Sequence, residues 1–163
     1  MRADPIRSLA RPALTFSAAF LFAFLVFRSS DAVCTVVRAP IEPGDMPRRM
    51  LTAEMPATIL ILVTALSAFT RFCRPVLIAG CVWRGASLGC LSAFLADGRL
   101  SGVPLVRTLV FASLSALVYL RIAAEADAAH PDLIAGAGPR GYIRIMLILA
   151  GANFLCDAAL MLS

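Results

Sequence analysis

The chain has 163 residues, of which 60% are hydrophobic and 15% are charged, and its mean hydropathy is +0.86. A water-soluble core cannot take in that much apolar surface, so the composition predicts an all-α integral membrane protein that crosses the bilayer several times. There is no lysine, one asparagine (Asn153) and one histidine (His130), which excludes most metal sites and histidine-based catalysis. In a membrane protein the net charge of +5 reports topology and lipid headgroups, and it is no argument for a nucleic-acid partner.

The five cysteines form no C-x-x-C pair, and four of them lie in or beside apolar segments. This pattern indicates small packing residues in membrane helices, with neither a disulfide framework nor a zinc site. No cofactor motif or nucleotide-binding loop occurs in the sequence either. The cysteines are Cys34, Cys73, Cys81, Cys90 and Cys156.

The first apolar run covers residues 12–27 and follows three arginines, as in a signal peptide. The RSSDAVC that comes after it offers no A-x-A cleavage site and no lipobox, so residues 1–28 are predicted to form an uncleaved signal-anchor helix. Sixteen helical residues rise about 24 Å, short of the roughly 30 Å hydrocarbon core, and flanking residues complete the span by snorkelling. A polar loop, rich in turn formers, is expected over residues 29–55.

The remaining residues, 56–163, are predicted to form a four-helix membrane bundle, which makes about five transmembrane helices in all. Short connections make the second, third and fourth helices of the chain antiparallel neighbours. The stretch AAEADAA at 123–129 can prolong the fourth helix beyond the bilayer, and the chain is then expected to break at His130 and Pro131, with His130 in a solvated loop. The four predicted spans are 56–72, 75–95, 104–122 and 142–163.

Arginine counting predicts a cytoplasmic N-terminus. With this orientation Cys34 is extracytoplasmic and Cys73 is cytoplasmic. Eight arginines then fall on the inner side and six on the outer side. The inner set is Arg2, Arg7, Arg11, Arg71, Arg74, Arg121, Arg140 and Arg144, and the outer set is Arg28, Arg38, Arg48, Arg49, Arg99 and Arg107.

Arg84 is the tenth residue of the predicted span 75–95 and so lies near the membrane centre. On insertion scales an arginine there costs about 2.5–3.5 kcal/mol. One interpretation is a structural arginine that snorkels or finds a helix-end carbonyl. The other is a functional anchor for a partner chain, an anionic lipid or a translocated ion.

Small residues recur around Arg84 at every fourth position, at Cys81, Gly85, Gly89 and Ala93. This spacing puts them in one stripe that includes a GxxxG motif, where another helix can approach closely. Both internal packing and contact with a second protein, including a second copy of the chain, are consistent with the stripe.

Residues 85–89 also read G-x-S-x-G, the nucleophile-elbow pattern, with Ser87 at its centre. The elbow needs a strand-turn-helix context, which an apolar span does not provide. The serine also needs a base, and the only histidine is predicted to lie in a distant loop. The sequence therefore predicts a protein that is not an enzyme.

A second polar set is expected near the other end of the membrane. Asp157 lies in the fifth span with Asn153 one turn earlier on the same face, and Arg107 is four residues into the fourth span. Because those helices run in opposite directions, Arg107 and Asp157 are predicted at similar depth and so to pair, whereas Arg84 is deeper. The pair can be a structural salt bridge or part of a proton or ion relay.

The order of a short N-terminal anchor, a polar loop and four close helices, with RGASLG in the third span, resembles the stage II sporulation protein M family. The resemblance implies a bacterial plasma-membrane protein without catalytic residues of its own, which scaffolds cell-wall-remodelling partners during engulfment of the forespore. In this chain the resemblance implies a role for four residues of the RGASLG motif, which are Arg84, Gly85, Ser87 and Gly89.

Two classes of function remain open at this point. The first is a membrane scaffold or assembly subunit, whose partners are the lipid bilayer and other membrane or envelope proteins, extracytoplasmic wall hydrolases among them. The second is a small transporter or channel, which the intramembrane polar residues favour. Because the five spans show no internal repeat, transport would require an oligomer.

Overall fold

The computed structural model describes residues 5–28, 58–96, 103–136 and 138–161, and every regular element among them is a helix. This confirms the all-α prediction. The helices are α1 (Pro5–Arg28), α2 (Thr58–Ser67), α3 (Cys73–Ala96), α4 (Val103–Ile134) and α5 (Arg140–Met161).

Four of these helices are long and apolar enough to cross a membrane, which makes this a multi-pass membrane protein. The described part of α2 has only ten residues and rises about 15 Å, half of the hydrocarbon thickness. The span predicted over 56–72 therefore ends early, and the chain turns through residues 68–72. The predicted polar loop 29–55 lies outside the described residues. The four long spans are Leu9–Arg28, Cys73–Ala93, Val106–Ile134 and Arg140–Ala159.

Side-chain hydroxyl groups fix the end of α2 by donating hydrogen bonds to its last carbonyl oxygens. The Ser67 hydroxyl donates to the carbonyl oxygen of Thr64 at 2.7 Å, and the Tyr142 hydroxyl of α5 donates to that of Ala65, also at 2.7 Å. A helix leaves its final carbonyls without intrahelical partners, and leaving them bare in an apolar interior is costly. These bonds allow α2 to end inside the bundle.

The fourth helix ends twelve residues after the predicted span 104–122, at Ile134. His130 is therefore part of α4, half-buried, with Nδ1 2.9 Å from the carbonyl oxygen of Ala68, which corrects its placement in a solvated loop. Gly136, with φ of 88°, turns the chain after the helix, in a conformation that glycine adopts most easily.

The first helix, in the segment predicted to be a signal anchor, packs within the bundle. It packs most extensively against α3 and also contacts α4. Phe16 of α1 faces Gly85 of α3, and Phe20 faces Gly89, so the two helices run parallel. The small side chains of α3 are the physical reason, because they let the α1 backbone come close.

One end of the bundle collects the starts of α1, α3 and α5 and the last turns of α4. Arg11, Arg74 and Asp127 line one cleft there, and Cys73 Sγ lies 3.9 Å from the Ala126 carbonyl oxygen. We call this the basic end, since seven arginine positions of the described helices and turns lie in this half of the bundle. They are Arg7, Arg11, Arg71, Arg74, Arg121, Arg140 and Arg144.

Candidate functional site

An ion pair joins α3 to α5 inside the bundle. Nη2 of Arg84 lies 2.5 Å from Oδ1 of Asp157, and the two side chains are only 12% and 7% exposed. Arg84 is the twelfth residue of the 24-residue α3, so the pair lies near the middle of a membrane-spanning helix. A charge at this depth needs a partner, and here the partner comes from the same chain.

Two further side chains complete this charged cluster, which we define as Arg84, Ser115, Asn153 and Asp157. The Ser115 hydroxyl accepts a hydrogen bond from Arg84 Nη2 and donates to Asp157 Oδ1 at 2.6 Å. The Asn153 amide donates to Asp157 Oδ2 at 2.6 Å. Both carboxylate oxygens therefore have donors, and the cluster ties three helices together through directional bonds.

The predicted pairing of Arg107 with Asp157 is wrong. The Arg107 side chain is exposed, and its guanidinium carbon lies 6.0 Å from the centre of the Phe111 ring. Ser115, which is level with Asp157, comes eight residues after Arg107, about 12 Å further along α4. The sequence-based prediction measured the depths of Arg107 and Asp157 from the predicted ends of their helices. It missed this offset because α4 continues well past its predicted end.

The stripe of small residues on α3 is covered by α1. A Cβ atom on Gly85 or Gly89 would come within 3.0 Å of the carbonyl oxygens of Phe16 and Phe20, respectively. Cys81 and Ala93, the other two members of the stripe, are also buried. Of the two interpretations of the stripe, the structure shows internal packing.

Ser87, the centre of the G-x-S-x-G pattern, lies on the exposed side of α3. Its hydroxyl donates to the carbonyl oxygen of Trp83 at 2.8 Å, one turn earlier on the same helix. His130 lies at the basic end, and fourteen residues of α3 separate Ser87 from Cys73 at that end, about 21 Å of helix. The structure does not bring this serine and the histidine together.

A second buried polar contact, absent from the sequence-based predictions, joins α2 to α4. The hydroxyls of Thr64 and Tyr119 lie 3.1 Å apart, and both residues are fully buried. Gly80 of α3 makes room for them, since a Cβ atom there would lie under 3.0 Å from the Tyr119 hydroxyl. The signal available in the sequence was a third glycine in α3, which falls outside the four-residue spacing of the stripe.

The residues that the structure describes contain no group of three or more His, Cys, Asp or Glu side chains placed to hold a metal ion. Four cysteines in this part of the chain are free thiols, and Cys34 lies outside it. The charged cluster offers a single carboxylate, already bonded to Arg84 and Asn153. As arranged, it can lock helices or pass a proton, and it lacks the ligand set of a divalent cation.

Comparison of the chain with models of known protein families, with curated proteins and with solved structures finds no match. The interpretation of function therefore depends on the geometry of the chain itself.

Proposed function

We propose that the protein is a non-catalytic membrane scaffold or assembly subunit, which binds a transmembrane helix of a partner protein. The observation that carries the proposal is a groove of about 690 Å³ between α1 and α4, floored by α3. Five of the twelve described residues that line it have small side chains, three of them hydroxylated, and the other seven are phenylalanines and leucines. The small residues are Ser17, Ser92, Ala112, Ser113 and Ala116.

Small side chains favour a helix as the occupant of this groove. Within lipid, helices associate through close packing and interhelical hydrogen bonds, both of which small and hydroxylated residues supply. The other features that the sequence offered for partner binding are used internally. Arg84 is paired with Asp157, and α1 covers the glycines of the stripe.

The resemblance to the stage II sporulation protein M family suggests which partner to test first. In this proposal the protein sits in a bacterial plasma membrane and organises cell-wall-remodelling proteins during engulfment of the forespore. The partner is then an envelope protein with a transmembrane helix, such as a membrane-anchored wall hydrolase.

A photo-crosslinking residue in place of Ser113, in the native membrane, tests the proposal. We expect a covalent adduct with one envelope protein, which Ala116→Leu abolishes by filling the groove. Ala18→Leu is the matched control, because Ala18 is an exposed residue of α1 that does not line the groove. Adducts with lipid alone, or a protein adduct that survives Ala116→Leu, would contradict the proposal.

The charged cluster favours a second candidate, a small transporter or channel in which Asp157 relays a proton or ion. Reconstitution of the purified protein in liposomes decides between the two. A transporter takes up solute under a proton gradient, and the double variant Arg84→Gln, Asp157→Asn abolishes uptake because it keeps hydrogen-bonding groups but removes both charges. A scaffold shows no uptake, and its partner adduct survives the double variant.

We further propose that the basic end faces the cytoplasm, which puts the N-terminus inside. The support is the distribution of arginines, since the other end of the described bundle carries only Arg28 and Arg107. Cys73 is fully buried and cannot report the inner side, so Arg71→Cys in the exposed turn before α3 takes its place. An impermeant thiol reagent on intact cells should label Cys34 and leave Arg71→Cys unlabelled; the reverse result would invert the orientation.

A further inference from the structure

A cleft of about 310 Å³ opens between α1, α3 and α4 at the basic end, and it shares no lining residue with the groove between α1 and α4. Among the described residues that line it, Arg11 and Arg74 are basic and Asp127 is acidic. The ion pairs among the described residues are Arg84–Asp157 and Arg121–Glu125, and neither includes these arginines. The described lining of the cleft therefore presents two arginines against one acid, which suits an anionic ligand.

The depth of the cleft matches the phosphate level of a bilayer. Arg11 is the third residue of the span Leu9–Arg28, and Arg74 is the second residue of Cys73–Ala93. The span of α4 begins at Val106, and about 20 helical residues cross the hydrocarbon core, which places Asp127 just past the core at the same interface. Arg74 also lies in the first turn of α3, where the helix dipole favours a negative charge.

The rest of the lining is mainly apolar. Leu14 lies one turn beyond Arg11, and Ile78 lies one turn beyond Arg74, both toward the membrane interior. They are 72% and 56% exposed, respectively. A free anion gains nothing from such a wall, whereas an acyl chain attached to the anion lies along it. The volume is at the low end of ligand sites, about 300–1,000 Å³, and so suits a headgroup rather than a whole lipid.

We propose that this cleft binds one anionic phospholipid, whose phosphate contacts Arg11 and Arg74 and whose acyl chain runs along Leu14 and Ile78. Asp127 lowers the affinity by repelling the phosphate. Basic pockets between membrane helices are the kind of site that recognises anionic headgroups.

Native mass spectrometry of the full chain in detergent, titrated with phosphatidylglycerol and in parallel with phosphatidylcholine, measures this binding. We expect one tightly bound phosphatidylglycerol per chain. Arg11→Gln and Arg74→Gln should each weaken its binding about fivefold, the effect of one arginine at a membrane surface. Arg74→Lys should retain most of the binding, and Asp127→Asn should strengthen it, a gain that a merely destabilised protein does not show.

Two controls separate this site from diffuse attraction to a basic surface. Arg144→Gln removes an exposed arginine at the same end but outside the cleft, and Arg107→Gln removes one at the opposite end. Both should bind phosphatidylglycerol as the unaltered protein does. If Arg144→Gln weakens binding as much as Arg74→Gln, or if phosphatidylcholine binds equally well, no specific site exists. Displacement of the lipid by equimolar inorganic phosphate would mean that the cleft is a site for free anions, which also overturns the proposal.

Discussion

Helix α3 makes two interfaces by different physical means, although they begin at neighbouring residues. Gly85 and Gly89 lie against the α1 backbone, and no polar side chain takes part at these two positions. Arg84, one residue earlier and about 100° around the helix, reaches Ser115 and Asp157 on the other side. The α1 interface thus depends on close approach, and the α4 and α5 interface depends on paired charge.

The difference has a consequence for specificity within the membrane. Lipid tails are as apolar as leucine, so a smooth interface of small residues gains stability only from packing and tolerates small shifts along the helix. A buried ion pair with bonded neighbours allows one register, because a displaced partner leaves a charge in low dielectric. The charged cluster therefore sets the position of α5 relative to α3, and the stripe decides how close α1 can come.

The largest effect is expected from filling the stripe. The double variant Gly85→Leu, Gly89→Leu places side chains where the Phe16 and Phe20 carbonyls lie, and backbone cannot move aside as a flexible side chain can. We expect loss of α1 docking and of folded protein, measured as monodisperse material in detergent. Ala79→Leu, at an exposed position of the same helix, is the control and should leave the yield unchanged. Normal folding of the double variant would mean that α1 does not pack on the stripe.

Breaking the ion pair should come next in size. Asp157→Asn leaves Arg84 as an unpaired buried charge, and we expect the free energy of unfolding to fall by about 3–5 kcal/mol, measured by denaturation in mixed micelles. Adding Arg84→Gln removes the stranded charge and should recover part of the loss, a coupling of about 1 kcal/mol or more. Strict additivity of the two single effects would show that the side chains do not interact.

A smaller loss should follow from Gly80→Ala. The added methyl group occupies the position of the Tyr119 hydroxyl and forces it away from Thr64. The two buried hydroxyls then lose the hydrogen bond between them. The cost of such unsatisfied groups is about 1–3 kcal/mol. The same denaturation assay in the Tyr119→Phe background tests whether loss of the Thr64–Tyr119 hydrogen bond is the cause. If it is, Gly80→Ala should cost much less in that background than in the unaltered protein.

The smallest effect is expected at Arg107, the arginine that the sequence placed in the ion pair. Its side chain is exposed and contacts the Phe111 ring, so Arg107→Gln should change the free energy of unfolding by no more than about 0.5 kcal/mol. A loss comparable to that of Asp157→Asn would restore Arg107 as the partner of Asp157.

Much of the candidate site could be read from the sequence, but its pairing could not. Arg84 and Asp157 stand out because charges are rare in apolar spans, and Asn153 lies one turn from Asp157 on any helix. Ser115 carries no such signal, since a serine in a membrane helix often bonds its own backbone, as Ser113 does with the carbonyl of Leu109.

The sequence by itself determined that the chain is a bundle of membrane helices, that α3 has a stripe of small residues, and that a charge lies deep in the bilayer. These follow from local quantities, the length and hydropathy of a segment and the spacing of residues along one helix. Only the tertiary structure decided that Arg84 pairs with Asp157, that α1 covers the stripe, and that α2 ends at Ser67. Those outcomes depend on how far each helix is displaced along its axis relative to the others. The packing of all five helices together sets this displacement, and the residue pattern of a single helix does not encode it.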